Sequence, residues 1–162
     1  MAGLTLEAWI RSTSSATNRS IVSKFWDPPT SYSLRTHYLT PGLLNFSTDT
    51  GAIVETNGTA AANDNAWHHV AGVYDGASQT LYVDLGLEGT TAQSGSIRNS
   101  PDALCIGNFC DGSAGQSGFG FEGDIDEVAV YNRALTDAQR TNSFCATQAA
   151  GGVSPLPPAC EQ

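Results

Sequence analysis

Trp67-His68-His69-Val70-Ala71-Gly72-Val73-Tyr74, followed by Asp75-Gly76 and then by Gln79-Thr80-Leu81-Tyr82-Val83-Asp84, is the stretch that decides the fold. Apolar and aromatic residues rich in β-propensity stand on both sides of a turn dipeptide. The pattern predicts an antiparallel hairpin with a loop of about four residues. Adjacent residues on a strand face opposite ways, so one of His68 and His69 is expected to be packed and the other partly exposed. Trp67 reads as a core residue of this hairpin, as Trp9 does of its own strand.

The same period extends outward in both directions. Leu4-Thr5-Leu6-Glu7-Ala8-Trp9-Ile10 puts Leu4, Leu6, Ala8 and Ile10 on one face. Residues 20–26 form a second β-rich run. Residues 31–38 alternate Tyr32, Leu34 and Thr36 against Ser33, Arg35 and His37. Pro41-Gly42 marks a turn before Leu43-Leu44-Asn45-Phe46, and residues 52–56 read as a short edge strand. Residues 103–107 and 119–131 supply the last strands. Many short strands separated by Gly, Ser, Asn and Asp indicate an all-β sandwich or barrel. Thr136-Asp137-Ala138-Gln139 is a capping box, which predicts one helix from Asp137 to about Phe144, set against one end of the sandwich. Beyond it, Gly151-Gly152 and Pro155-Leu156-Pro157-Pro158 read as a linker or stapled tail. The division expected is a β-sandwich over 1–145 and a Gly/Pro-rich tail over 146–162.

Composition narrows the partners. The 162 residues are 40% hydrophobic and 14% charged, which suits one globular domain. Seven Lys and Arg stand against 16 Asp and Glu, a formal net charge of −9. Such a surface repels nucleic acid and anionic membranes and suits cations such as calcium. No apolar run approaches the roughly 20 residues of a membrane span. The opening Met1-Ala2-Gly3-Leu4 runs straight into a strand, so the chain is expected to be part of a larger, exported multidomain protein. Cys105, Cys110, Cys145 and Cys160 allow three pairings. The expected one joins Cys105 to Cys110 and Cys145 to Cys160, in an oxidising compartment.

Four segments, in order, resemble the laminin-G-like jellyroll group of the concanavalin A-like lectin/glucanase superfamily. They are 4–10, 67–76, 81–84 and 121–135, the last reading Phe-Glu-Gly-Asp-Ile-Asp-Glu-Val-Ala-Val-Tyr-Asn-Arg-Ala-Leu. The resemblance implies two antiparallel sheets in a jellyroll sandwich, often with a calcium at the rim, serving glycan or protein binding. The group usually has Asp-Gly after the Tyr-Val of the third segment. Here Leu85 intervenes between Asp84 and Gly86, which predicts a different turn or register at that hairpin tip.

Candidate site residues follow from chemistry. Trp26 meets the turn Asp27-Pro28-Pro29, so its ring is a candidate platform for a sugar, with Asp27 accepting hydroxyl hydrogen bonds and Tyr32 a further aromatic. Asp126 and Asp124 are candidate calcium ligands, although calcium needs six to eight oxygens. Glu122-Gly123-Asp124-Ile125-Asp126-Glu127 also imitates the carboxylate spacing of glycosidases of this fold, whose retaining members hold two carboxyls about 5–5.5 Å apart. Its place in the last strand, directly before the helix, argues against catalysis. The function expected is a secreted, non-catalytic recognition module for carbohydrate, with calcium an optional ligand. A protein-binding adhesion module of the same fold is the alternative, and a β-glucanase-like enzyme a distant one.

Overall fold

A computed structural model describes residues 1–25, 30–110, 118–150 and Cys160. It contains ten strands: β1 (Leu4–Arg11), β2 (Ser20–Lys24), β3 (Tyr32–Thr36), β4 (Leu44–Asp49), β5 (Ile53–Asn57), β6 (His68–Tyr74), β7 (Ser78–Val83), β8 (Gly86–Ala92), β9 (Cys105–Ile106) and β10 (Asp124–Tyr131). One helix, α1 (Asp137–Ala150), follows. Two five-stranded antiparallel sheets pack face to face, one ordered β10-β1-β6-β7-β8 and the other β5-β4-β3-β2-β9. The expected sandwich is therefore present, with β5 at a sheet edge as anticipated. Strand β8 was not anticipated, and the runs at 103–107 and 119–131 contract to Cys105–Ile106 and Asp124–Tyr131.

The core lies where the pleat predicts. Leu4, Leu6, Ala8 and Ile10 are at most 1% exposed, as are Val70, Tyr74 and Leu81 from β6 and β7. Leu6, Gly72 and Leu81 lie side by side on three neighbouring strands. Phe46 from the other sheet fills the space that Gly72 leaves, and a Cβ at Gly72 would lie 2.4 Å from its ring. The glycine of the opening motif is thus a packing requirement, since Phe46 occupies the volume of any larger side chain.

The β7–β8 hairpin settles the irregular tip. Val83 pairs with Gly86, leaving Asp84 and Leu85 as a two-residue loop, with φ of 49° and 68°. Two positive φ values define a type I′ turn, which matches the strand twist even without the usual glycine. Asp84 is anchored there because its Oδ1 accepts the His69 amide at 2.9 Å.

Helix α1 begins with the predicted capping box. The Thr136 amide donates to Gln139 Oε1 at 3.1 Å, and the Gln139 amide donates to Thr136 Oγ1 at 3.3 Å. Its placement corrects the sequence expectation: it covers the outer face of the β1-containing sheet, not an end of the sandwich. Trp9 stacks on Phe144 with centroids 5.3 Å apart and donates from Nε1 to Thr147 Oγ1 at 2.8 Å. Arg140 lies 3.6 Å over the Tyr82 ring. The helix also continues past residue 145, to Ala150. Both disulfides join as expected, Cys105 to Cys110 and Cys145 to Cys160.

Glu7 and His69 are shut in beneath this helix, 2% and 3% exposed, with Glu7 Oε1 3.8 Å from His69 Nε2. Burial pushes the Glu7 carboxyl up, against the opposing pull of Ser143, Arg140 and Tyr131. Burial lowers His69 to about 4, with the Arg140 charge adding to it and Asp84 opposing. A depressed histidine pKa means that the unfolded chain binds the proton first as acid is added. Its contribution is complete above the unfolded value of 6.5 and is lost as pH falls toward 4.

Two outcomes follow. Gly72→Ala should lower unfolding free energy by about 1–3 kcal/mol in urea titrations with disulfides intact, because the methyl overpacks against Phe46. A change below about 0.5 kcal/mol would show that the sheets can move apart there. Between pH 6.5 and about 4 the wild type should lose about 3 kcal/mol more stability than His69→Gln, and parallel curves would contradict a neutral buried His69.

Candidate functional site

One rim of the sandwich gathers the chemistry. It lies where β1 ends and where β6 and β10 begin. Arg11 and Asp124 are register partners at the ends of β1 and β10. Arg11 donates from Nε and Nη2 to Asp124 Oδ2 at 2.9 and 2.7 Å. The same guanidinium lies 5.1 Å from the centroid of Trp67, within cation–π range. Trp67 is 40% exposed. This corrects its assignment to the core: β6 starts only at His68, so the tryptophan stands just before the paired segment.

Gly123 makes the convergence possible. Its φ is 158°, and a Cβ there would lie 2.2 Å from the Arg11 carbonyl oxygen. The two chains therefore approach closely where Asp124 meets Arg11. Beside them lies a shallow cleft with room for about one water, about 10 Å³, lined by Ser12, Ser14, Arg19, Asn63 and Glu122 above Ile10, Leu44, Ala62 and Phe121. Glu122 accepts from Ser14 Oγ at 2.6 Å and pairs with Arg19 Nη2 at 3.1 Å. Asn63 Nδ2 donates to the Ser14 carbonyl at 3.1 Å, and Ser12 Oγ to the Glu122 carbonyl at 2.6 Å. The floor is apolar and partly aromatic and the lip carries donors and acceptors, so a ligand would rest on this surface and not inside it.

His68 stands at the same end, between Asp64 at 3.0 Å and Asp84 at 2.7 Å. Desolvation pulls its pKa down, but the hydrogen bonds and charges of Asp84 and Asp64 outweigh this and raise it. His69, by contrast, is buried, so the expected split between the two histidines is observed.

The acidic run is dispersed. Glu122 precedes β10, Asp124 is held by Arg11, and Asp126 Oδ1 accepts the amide of Glu127 at 2.8 Å. Glu7 pairs with Ala129 but Trp9 with Asp126, so β10 carries an extra residue, with Glu127 at φ 48°. That bulge follows Asp126 and takes Glu127 out of the regular alternation of the strand. Asp124, one of the two candidate calcium ligands, is engaged by the Arg11 guanidinium. Among the described residues no group of three or more His, Cys, Asp or Glu side chains converges for a metal.

Tyr32 is 6% exposed and belongs to the core, on the inward face of β3, so its ring offers no stacking face. Trp26 and Asp27 lie outside the described residues. The outer face of the β2–β5 sheet carries Ser33 and Ser47 as register partners, both fully buried and with hydroxyls that find no hydrogen-bond partner among the described residues. Beside them Arg35 donates to Asn45 Oδ1 at 3.1 Å and to Glu55.

Comparison with known proteins places this architecture. Residues 1–139 match the model of the concanavalin A-like lectin/glucanases superfamily in its laminin-G-like branch, and the chain belongs to that family. Among curated protein sequences none matches significantly. A solved protein of Bacteroides ovatus ATCC 8483, provisionally assigned to carbohydrate binding, superposes with TM-score 0.68 at 24% identity, over 85% of this chain and 39% of that one. Domains LG4-5 of the mouse laminin alpha1 chain give 0.63 at 17%, over 84% and 37%. Botulinum neurotoxin type C, whose passage into cells depends on two ganglioside molecules, gives 0.64 at 13%, over 91% and 36%. At these identities the likeness is one of fold. The chain spans less than two fifths of each of these three.

Proposed function

We propose that this laminin-G-like domain is a non-catalytic carbohydrate-recognition module, part of a larger extracellular protein, and that it binds through the rim around Trp67, Arg11 and the neighbouring cleft. The observation that carries the reading is the exposed indole of Trp67 under the Arg11 guanidinium, at the rim that also carries the paired donors and acceptors of Ser14, Glu122 and Arg19. A sugar ring has apolar C–H faces and a hydroxyl edge. The indole suits the first and the Ser14–Glu122–Arg19 group the second. Burying the ring against a partner is the kind of contact that dominates binding energy elsewhere.

Two further observations support the reading. The structural relatives include a protein assigned to carbohydrate binding and a toxin that interacts with gangliosides. The two disulfides suit an oxidising, extracellular setting. Each acidic residue of the glycosidase-like run from 122 to 126 already has its own partner, which supports a binding role over hydrolysis. This reading needs no calcium. Trp26 and Asp27 remain in it as candidate binding residues.

A glycan array tests it. Wild-type protein should bind a subset of oligosaccharides, and Trp67→Ala should lower that signal by about tenfold or more, with an unchanged melting temperature. Retained binding in Trp67→Ala together with loss in Trp26→Ala would move the site to Trp26. Binding to a protein array with no glycan signal would replace the proposal with the adhesion alternative.

A further inference from the structure

We infer that the rim selects neutral glycans and rejects acidic ones, an inference that rests on the carbohydrate-recognition reading. The argument is one of charge already spent. The rim holds two guanidiniums, and each is neutralised by a carboxylate: Arg11 by Asp124 at 2.7 Å and Arg19 by Glu122 at 3.1 Å. Asp64 adds a further negative group at the same end, where it faces His68.

His68 at this end is itself held between two carboxylates, Asp64 and Asp84, and no other Lys or Arg is placed to compensate. Arg35, Arg98 and Arg140 are paired with Glu55, Asp49 and Asp137. Lys24 Nζ donates to the carbonyls of Ser100 and Asp102 at 2.6 and 2.7 Å. The remaining basic side chain, Arg133, belongs to the far end of β1, where its carbonyl accepts from Thr5 Oγ1 at 2.9 Å. With 16 acidic against seven basic side chains, the field over the whole surface is negative. A sialic acid carboxylate or a sulfate arriving at this rim meets like charge and no free partner, which is how a binding site excludes a competitor.

A neutral sugar meets the opposite situation. Each hydroxyl both donates and accepts. An arginine N–H beside a carboxylate oxygen offers an acceptor and a donor side by side, which matches two adjacent hydroxyls. The Arg11–Asp124 and Arg19–Glu122 pairs supply two such doublets, flanking the Trp67 ring and the cleft. Pairs this exposed contribute at most about 1 kcal/mol to folding, so their main consequence is the pattern they present.

The test uses immobilised neutral galactosides and glucosides, each printed beside its sialylated or sulfated derivative. The neutral member of a bound pair should give a signal at least about tenfold higher, nearly constant from about 0.05 to 0.5 M NaCl. Stronger binding to the acidic member, weakening with salt, would overturn the inference and leave the carbohydrate reading standing. No signal on any glycan would overturn both. The double variant Asp124→Asn, Glu122→Gln frees both guanidiniums and should gain signal on the acidic members. An unchanged preference in that variant would contradict the role given to the pairs.

Discussion

Strand β1 is buried on both faces, and the rest of the molecule is arranged around that requirement. Leu4, Leu6, Ala8 and Ile10 face the second sheet, and Thr5, Glu7 and Trp9 face α1 at 7% exposure or less. A strand hidden on both sides needs a layer above and a layer below. The second sheet supplies one and the helix the other. Thr5 fixes where the helix starts, because its Oγ1 accepts from the Leu135 amide and donates to the Arg133 carbonyl. Trp9 fixes the other half, through Phe144 and Thr147.

Burial gives out at Arg11, the last residue of β1, and the candidate site begins there. Past the cover of the helix, the side chains opposite and beside it meet water, so Trp67 and Asp124 are exposed, while His69, two residues on from Trp67 and within β6, is buried. The outer face of one sheet is occupied by α1. On the other sheet's outer face, Ser33 and Ser47 are fully buried. Among the described residues of these three surfaces, the rim alone combines an exposed aromatic ring, a cleft and accessible polar pairs. The type I′ turn at Asp84–Leu85 contributes from the side, since Asp84 ties both His68 and the His69 amide to the hairpin tip.

What sequence could reveal was what short-range chemistry determines. The β6–β7 hairpin, the alternation of β1, the capping box at Thr136 and both disulfides depend on residues near one another in the chain, and all are found. The missed features depend on distant contacts. Gly86-Leu87-Glu88-Gly89-Thr90-Thr91-Ala92 has weak strand propensity and is a strand because β7 pairs with it and β5 approaches it; Thr91 Oγ1 reaches the Glu55 carbonyl at 3.3 Å. Trp67 shares the composition of its strand and lies one residue before it, a boundary that composition does not mark. The position of α1 follows from Trp9, which on period-two grounds alone fits either layer. The dispersal of the acidic run required knowing that Arg11 and Arg19 come from elsewhere to meet Asp124 and Glu122, and that a bulge displaces Glu127. A positively charged residue at a strand end opposite an acidic one was the available clue.

The most direct test is to record amide and indole NMR spectra while titrating a neutral oligosaccharide that the domain captures. The account predicts that shifts cluster on the Trp67 indole, on Arg11 to Arg19 and on residues 121–124, and leave Ser33, Arg35 and Ser47 unchanged. Shifts centred on Ser33, Arg35 and Ser47, with the Trp67 indole unmoved, would contradict it.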